Sequence, residues 1–139
     1  KDYKGRYYYE KFKVLPGLPE TDIFFNQLRE SYLQGLIWCL AYYVKGCISW
    51  TWYFPYHYGP MLQDMVCLDQ VASNITFDIG QPFFPFQQLL GCLPPASRVM
   101  LPKSYQWLMV SPESPVLEFY PLDFGIDQDG KRNPWEAVV

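Results

Sequence analysis

One histidine, four cysteines and 14 carboxylates are the groups of this 139-residue chain that could take part in bond-breaking chemistry. Their spacing joins none of them into a recognised site. His57 stands among rings and prolines with no Ser or Cys at a catalytic-motif spacing, so it reads as a structural histidine in a packed loop. Glu10, Glu20, Asp22, Glu30, Asp64, Asp69 and Asp78 are scattered singly over caps and loops. A two-metal phosphodiesterase centre needs carboxylates converging on ions about 3.5–4 Å apart. Cys39, Cys47, Cys67 and Cys92 contain no C-x-x-C pair, and a single His cannot complete a zinc finger. They are expected as reduced, mostly buried thiols, because free Cys packs as a small hydrophobe. Gly125, Asp127, Asp129, Gly130 and Glu136 fall at EF-hand positions 1, 3, 5, 6 and 12. The first position lacks a carboxylate and Arg132 replaces a small apolar residue, which makes a turn the better reading. Asn74-Ile75-Thr76 fits a glycosylation acceptor but has no secretory context. Phosphate-cradling glycine loops and nucleophile elbows are absent from the sequence.

Ring surface is the chemistry the chain does concentrate. "SWTWYFPYHYGP" at 49–60 holds six aromatic rings and the only histidine in twelve residues. From local motifs alone, the chain reads as an aromatic-rich helical fragment with no assigned role.

Half of the residues are apolar and 19% are aromatic, enough to build a core. The net charge of −3 argues against a free-standing nucleic-acid binder. Charge is uneven, however: residues 1–13 carry five Lys/Arg against two acids, and residues 113–139 carry six acids against two bases. Such asymmetry fits a piece whose complementary charges lie elsewhere. With neither an initiator Met nor a signal-peptide core at the start, the chain reads as an internal piece of a longer protein. No run of 18 apolar residues indicates a membrane span.

The elements that must position these residues are mainly α with short β elements. Asp22 is a fair N-cap for a long helix over 22–45, and Gly46 after Lys45 is its stop. Phe25, Leu28, Tyr32, Leu36, Cys39, Leu40 and Tyr43 form an apolar stripe that Ile37, Trp38 and Val44 widen nearly all round. A helix of that kind is expected to be buried. Prolines then dominate, and short helices are expected near 60–67, 85–92 and 103–109, each started by a proline. Asp129-Gly130, flanked by β-branched and aromatic residues, predicts a C-terminal hairpin. The organisation is thus a less certain lead-in at 1–21, the long helix at 22–45, an aromatic loop at 46–60, short helices over 61–112 and a hairpin segment over 113–139.

Taken together, "YLQGLIWCLAYYVKGCISWTWYFPYHYGP" at 32–60 resembles the second conserved region of the Xrn family of 5′→3′ exoribonucleases. That region carries an aromatic helix, a Gly and a Ser-Trp-x-Trp-Tyr-x-Pro-Tyr-His-Tyr-x-Pro run. The similarity continues through "GQPFFPFQQLLGCLPPAS", "LPKSYQWLM" and "SPVLEFYPLDFGIDQDGKRNPWEAVV", in one order from about residue 26. Gly59, Gln81 and Met61 depart from the family's usual Ala, Lys and aromatic residue. The ending "WEAVV" is more similar to the cytoplasmic branch than to the nuclear one, implying a cytoplasmic protein, with a nuclear one as the alternative.

The resemblance implies part of a processive, Mg²⁺-dependent enzyme acting on single-stranded RNA with a 5′-monophosphate. The family's magnesium carboxylates and phosphate pocket belong to its first conserved region, so this segment is expected to hold no metal and no catalytic residue. Its expected partners are RNA and the missing N-terminal nuclease region, against which the second region packs to close the channel. A tryptophan of the second region stacks on a base near the RNA 5′ end, implying Trp50 or Trp52. Tyr53, Tyr56, His57 and Tyr58 are expected as channel or interface support. Two other readings stay open: a catalytically inactive RNA-binding or scaffold protein, and a nonenzymatic helical interaction module.

Overall fold

The computed structural model describes residues 2–123, 125–128, 130–133 and 135, with only the backbone of Glu20. They are mainly helical and form two compact units, residues 1–82 and 83–139.

The first unit begins with α1, Tyr3–Phe12, where the sequence predicts only a lead-in. Asp2 caps it by accepting the Gly5 N–H at 2.8 Å, and the Lys13 N–H closes it on Tyr9 O at 3.0 Å. α2 spans Asp22–Lys45 and ends at Gly46, which has φ 90° and donates to Tyr42 O at 3.1 Å. Its N-cap is Thr21, one residue before the expected Asp22. The Thr21 hydroxyl donates backwards to Leu18 O at 2.7 Å, leaving Asp22 in the first turn, where a carboxylate favours the helix dipole.

Rings join α1 to the N-terminal half of α2. Tyr8 and Leu28 are fully buried, and Tyr8 meets Phe25 edge to face at 4.7 Å. Phe12 packs on Phe24 at 5.3 Å, and both reach Tyr56 of the aromatic loop. The expectation of a buried α2 fails beyond that half. Leu36, Leu40, Tyr43 and Val44 are 51%, 68%, 87% and 71% exposed. An all-round apolar helix needs cover on several sides; here α1, the aromatic loop and α3 cover only part of it. The expected helix at 60–67 is also corrected, to a 3₁₀ turn at Leu62–Asp64 and the short α3, Leu68–Ala72. Cys67 separates them in a left-handed conformation, φ 56°, which no helix can pass through.

In the second unit α4 occupies Pro85–Cys92, as the sequence predicts. Pro85 supplies its first turn and Gln87 Oε1 accepts the Phe84 N–H at 3.0 Å. A 3₁₀ helix follows at Pro95–Met100. The expected helix at 103–109 is α5, Lys103–Gln106, tightening to 3₁₀ over Trp107–Met109. Leu101 and Met109 are buried, and the buried Ser114 hydroxyl donates to Leu108 O at 2.6 Å. Tyr120 donates to Leu90 O at 2.7 Å, beside a groove of about 890 Å³ lined by Leu93, Leu108 and Phe119.

The C-terminal hairpin is not found among the described residues. Leu117–Phe119 is a 3₁₀ helix, and Asp127 is a single bridge residue. What is present is a turn: Lys131 donates to Gln128 O at 2.7 Å, and Gly130 has φ 72°, a conformation glycine adopts without strain. Asp129 and Glu136 lie outside the described residues. The four cysteines are free, and Cys39, Cys67 and Cys92 are exposed, correcting the expectation of mostly buried thiols.

Candidate nucleic-acid interface

The aromatic loop leaves α2 at Gly46 and turns at once. Ser49, 3% exposed, is the centre of that turn. Its carbonyl accepts the Trp38 indole N–H at 3.0 Å and the Cys47 thiol at 3.2 Å, and its Oγ accepts the Trp52 N–H at 3.2 Å. The Trp50 N–H donates to Ile79 O at 2.9 Å. The turn is therefore tied to α2 on one side and to the 75–80 segment on the other.

Trp50 and Trp52 stand in different surroundings. The Trp52 indole N–H donates to Gln34 Oε1 at 3.1 Å, and its ring stacks on Trp38 at 6.2 Å and meets Phe77 edge on at 6.2 Å. A Cβ at Gly35 would stand 3.0 Å from the Trp52 ring, so a larger residue there would press on the indole. Trp38 itself stacks on Tyr42 at 5.3 Å and 9°. Trp52 is thus a half-buried packing residue. The Trp50 ring has none of these partners and is 51% exposed.

From Trp52 to Tyr58 the exposure of successive residues alternates. Trp52, Phe54, Tyr56 and Tyr58 turn inward, while Tyr53, Pro55 and His57 turn outward. Phe54 packs on Tyr32 at 5.9 Å, and Tyr56 on Phe12 and Phe24. Tyr58 meets Phe12 at 6.1 Å and carries the Lys11 ammonium 4.5 Å above its ring. Of the expected support residues, Tyr56 and Tyr58 are therefore in the packed layer. Tyr53, 73% exposed, and His57 are exposed, as is Trp50.

Sequence reasoning missed the clamp beneath this loop. Tyr7 donates its phenol hydrogen to Gly59 O at 2.8 Å, and Tyr3 to Gln63 Oε1 at 3.0 Å. The buried Tyr8 hydroxyl donates to Asp64 Oδ2 at 2.7 Å and accepts the Met61 N–H at 3.0 Å. Lys4 pairs with Asp64 Oδ1, and Arg29 Nε donates to the Asp64 carbonyl at 2.9 Å. Burial, reinforced by the Asp64 hydrogen bond, pushes the Tyr8 phenol well above its ordinary range. The signal was present in "DYKGRYYYEKF": an Asp cap, a Lys in the last turn and tyrosines at helical spacing.

Chemically, this surface offers ring faces and a few hydroxyls. Among the described residues, no three His, Cys, Asp or Glu side chains are grouped to hold a metal ion. No helix among them is long and apolar enough to cross a membrane. The arrangement suits holding a ligand with flat faces.

A helical chain with this aromatic loop falls in one family. The model for the Xrn1 helical domain matches residues 1–139, and the chain belongs to that family. It is 46% identical over 137 residues to the 5′-3′ exoribonuclease 2 of Aspergillus fumigatus, a match covering 99% of this chain and 12% of that protein. Identity to the protein of the same name in Schizosaccharomyces pombe is 44%, covering 99% and 13%. For Cryptococcus neoformans var. neoformans it is 46%, covering 99% and 12%. The chain thus spans about an eighth of the length of these curated relatives.

Proposed function

We propose that this chain is the second-region part of a processive 5′→3′ exoribonuclease that degrades single-stranded RNA bearing a 5′-monophosphate. Within it, residues 49–60 form channel wall, and Trp50 stacks on an RNA base. The observation that carries this reading is the contrast between the two indoles: Trp52 is held by Gln34, Trp38 and Phe77, while the half-exposed Trp50 projects from a turn fixed through its backbone. A ring presented on an anchored backbone stacks with little backbone ordering cost and accepts every base. Tyr53 and His57, also exposed along the loop, extend the wall.

Mg²⁺ is the metal of the proposed reaction, supplied with its carboxylates by the family's first conserved region; the described residues here do not group ligands for it. That region is also the proposed cover for the exposed apolar residues of α2. The cytoplasmic assignment rests on the ending "WEAVV", and fractionation of native cells tests it. Activity is tested with the complete protein, magnesium and one RNA carrying a 5′-monophosphate or a 5′-hydroxyl. Mononucleotides released stepwise from the monophosphorylated strand alone support the reading. RNA binding without degradation under the same conditions marks the inactive RNA-binding or scaffold alternative.

A further inference from the structure

We propose that Ser49 is a positioning residue for the RNA-stacking ring: it holds the turn from which Trp50 projects, and it acts on substrate only through Trp50. This rests on the stacking role proposed above and identifies what makes that role possible.

Ser49 unites bonds from three directions in one buried residue. Its carbonyl fastens the turn to α2 through the Trp38 indole, and the Cys47 thiol shares the same acceptor. Its hydroxyl oxygen accepts the Trp52 N–H three residues on, closing a short side-chain-to-backbone loop around Trp50 and Thr51. Serine does this because its oxygen lies one bond beyond Cβ, within reach of a backbone N–H nearby in the chain. With Trp52 also fixed by Gln34, the residues on both sides of Trp50 are tied, and Trp50 itself is tied at its N–H. Only its side chain is left to the solvent side. Loss of the Ser49 oxygen strands the part-buried Trp52 N–H and frees the turn to rotate, so the ring samples directions in which it cannot meet a base.

The test uses the complete enzyme and monophosphorylated single-stranded RNA. Ser49→Ala is expected to raise KM about 5- to 10-fold with kcat within about 2-fold, the pattern of lost ground-state binding. Ser49→Thr, which keeps the oxygen, restores KM. In the double variant Ser49→Ala with Trp50→Ala, KM equals that of Trp50→Ala alone, because a residue acting through the ring has nothing to position once the ring is gone. Additive losses overturn the proposal, as does a wild-type KM for Ser49→Ala where Trp50→Ala is impaired. If Trp50→Ala itself behaves as wild type, the stacking reading fails and this inference falls with it. Should Ser49→Ala not fold, Gln34→Met against Gln34→Glu repeats the cycle from the Trp52 side. There, a KM rise in the Met variant alone that vanishes on the Trp50→Ala background supports the positioning seat, and any other pattern overturns it.

Discussion

Trp50 and Trp52 are separated by one residue yet stand in different surroundings, and that difference makes their roles separable by mutation. Trp52→Ala removes a half-buried ring from a three-ring contact and strands Gln34, so it should cost about 3 kcal/mol of stability. Trp50→Ala should leave the melting temperature of the complete protein within about 2 °C of wild type, because a surface ring contributes little to folding. Calorimetry on both variants checks this, and equal losses would mean that Trp50 is a core residue too. Sequence could not separate the pair. Every position from Trp52 to Tyr58 except Pro55 is aromatic or histidine, so the two-residue alternation in exposure leaves no hydrophobic pattern to read. The turn at Ser49 that sets Trp50 apart depends on bonds to Trp38 and Ile79, residues 11 and 30 positions away.

At the scale of elements, legibility followed local signals. α2 is found within one residue at its start because Asp22 and Gly46 bracket an apolar run, and α4 is found because Pro85 opens it. α1 was missed because its inward residues are tyrosines, whose phenols bond to residues 59–64 and give no apolar stripe. The helix expected at 60–67 was misplaced because Pro60 resembles a start, while the left-handed Cys67 that divides the segment has no local marker. The clamp yields a stability prediction. Tyr8→Phe should cost about 2 kcal/mol by unpairing Asp64 and the Met61 N–H, seen as a lower urea midpoint. It should also alter the alkaline limb. The Tyr8 phenol is raised above the 10.0 of an unfolded tyrosine, so the folded state keeps a proton that the unfolded state releases. Stability from this source is full below pH 10 and is lost as pH rises through the folded value. The phenylalanine variant should therefore lose less stability than wild type above pH 10; parallel curves would detach Tyr8 from that limb. In the second unit, Gly130→Val should destabilise by about 1 kcal/mol. A Cβ there meets nothing within 4 Å, so the whole cost is the positive φ, and an unchanged unfolding midpoint would contradict it.

At the scale of the whole molecule, the chain holds ring surface but groups no metal ligands among its described residues, and much of α2 lies bare. Residues 1–139 alone should thus bind a hydrophobic dye through Leu36, Leu40, Tyr43 and Val44 and leave RNA intact in magnesium. Composition anticipated an apolar helix needing cover; which residues stay bare depends on the packing of α1, the loop and α3, which no local pattern encodes. The most direct test of the central claim is a steady-state degradation assay on 5′-monophosphorylated single-stranded RNA with the complete protein, wild type against Trp50→Ala. A lost base stack of about 1–3 kcal/mol lowers kcat/KM about 5- to 150-fold, alike for RNAs of different sequence. Degradation at the wild-type rate by a normally folded Trp50→Ala enzyme would contradict the account.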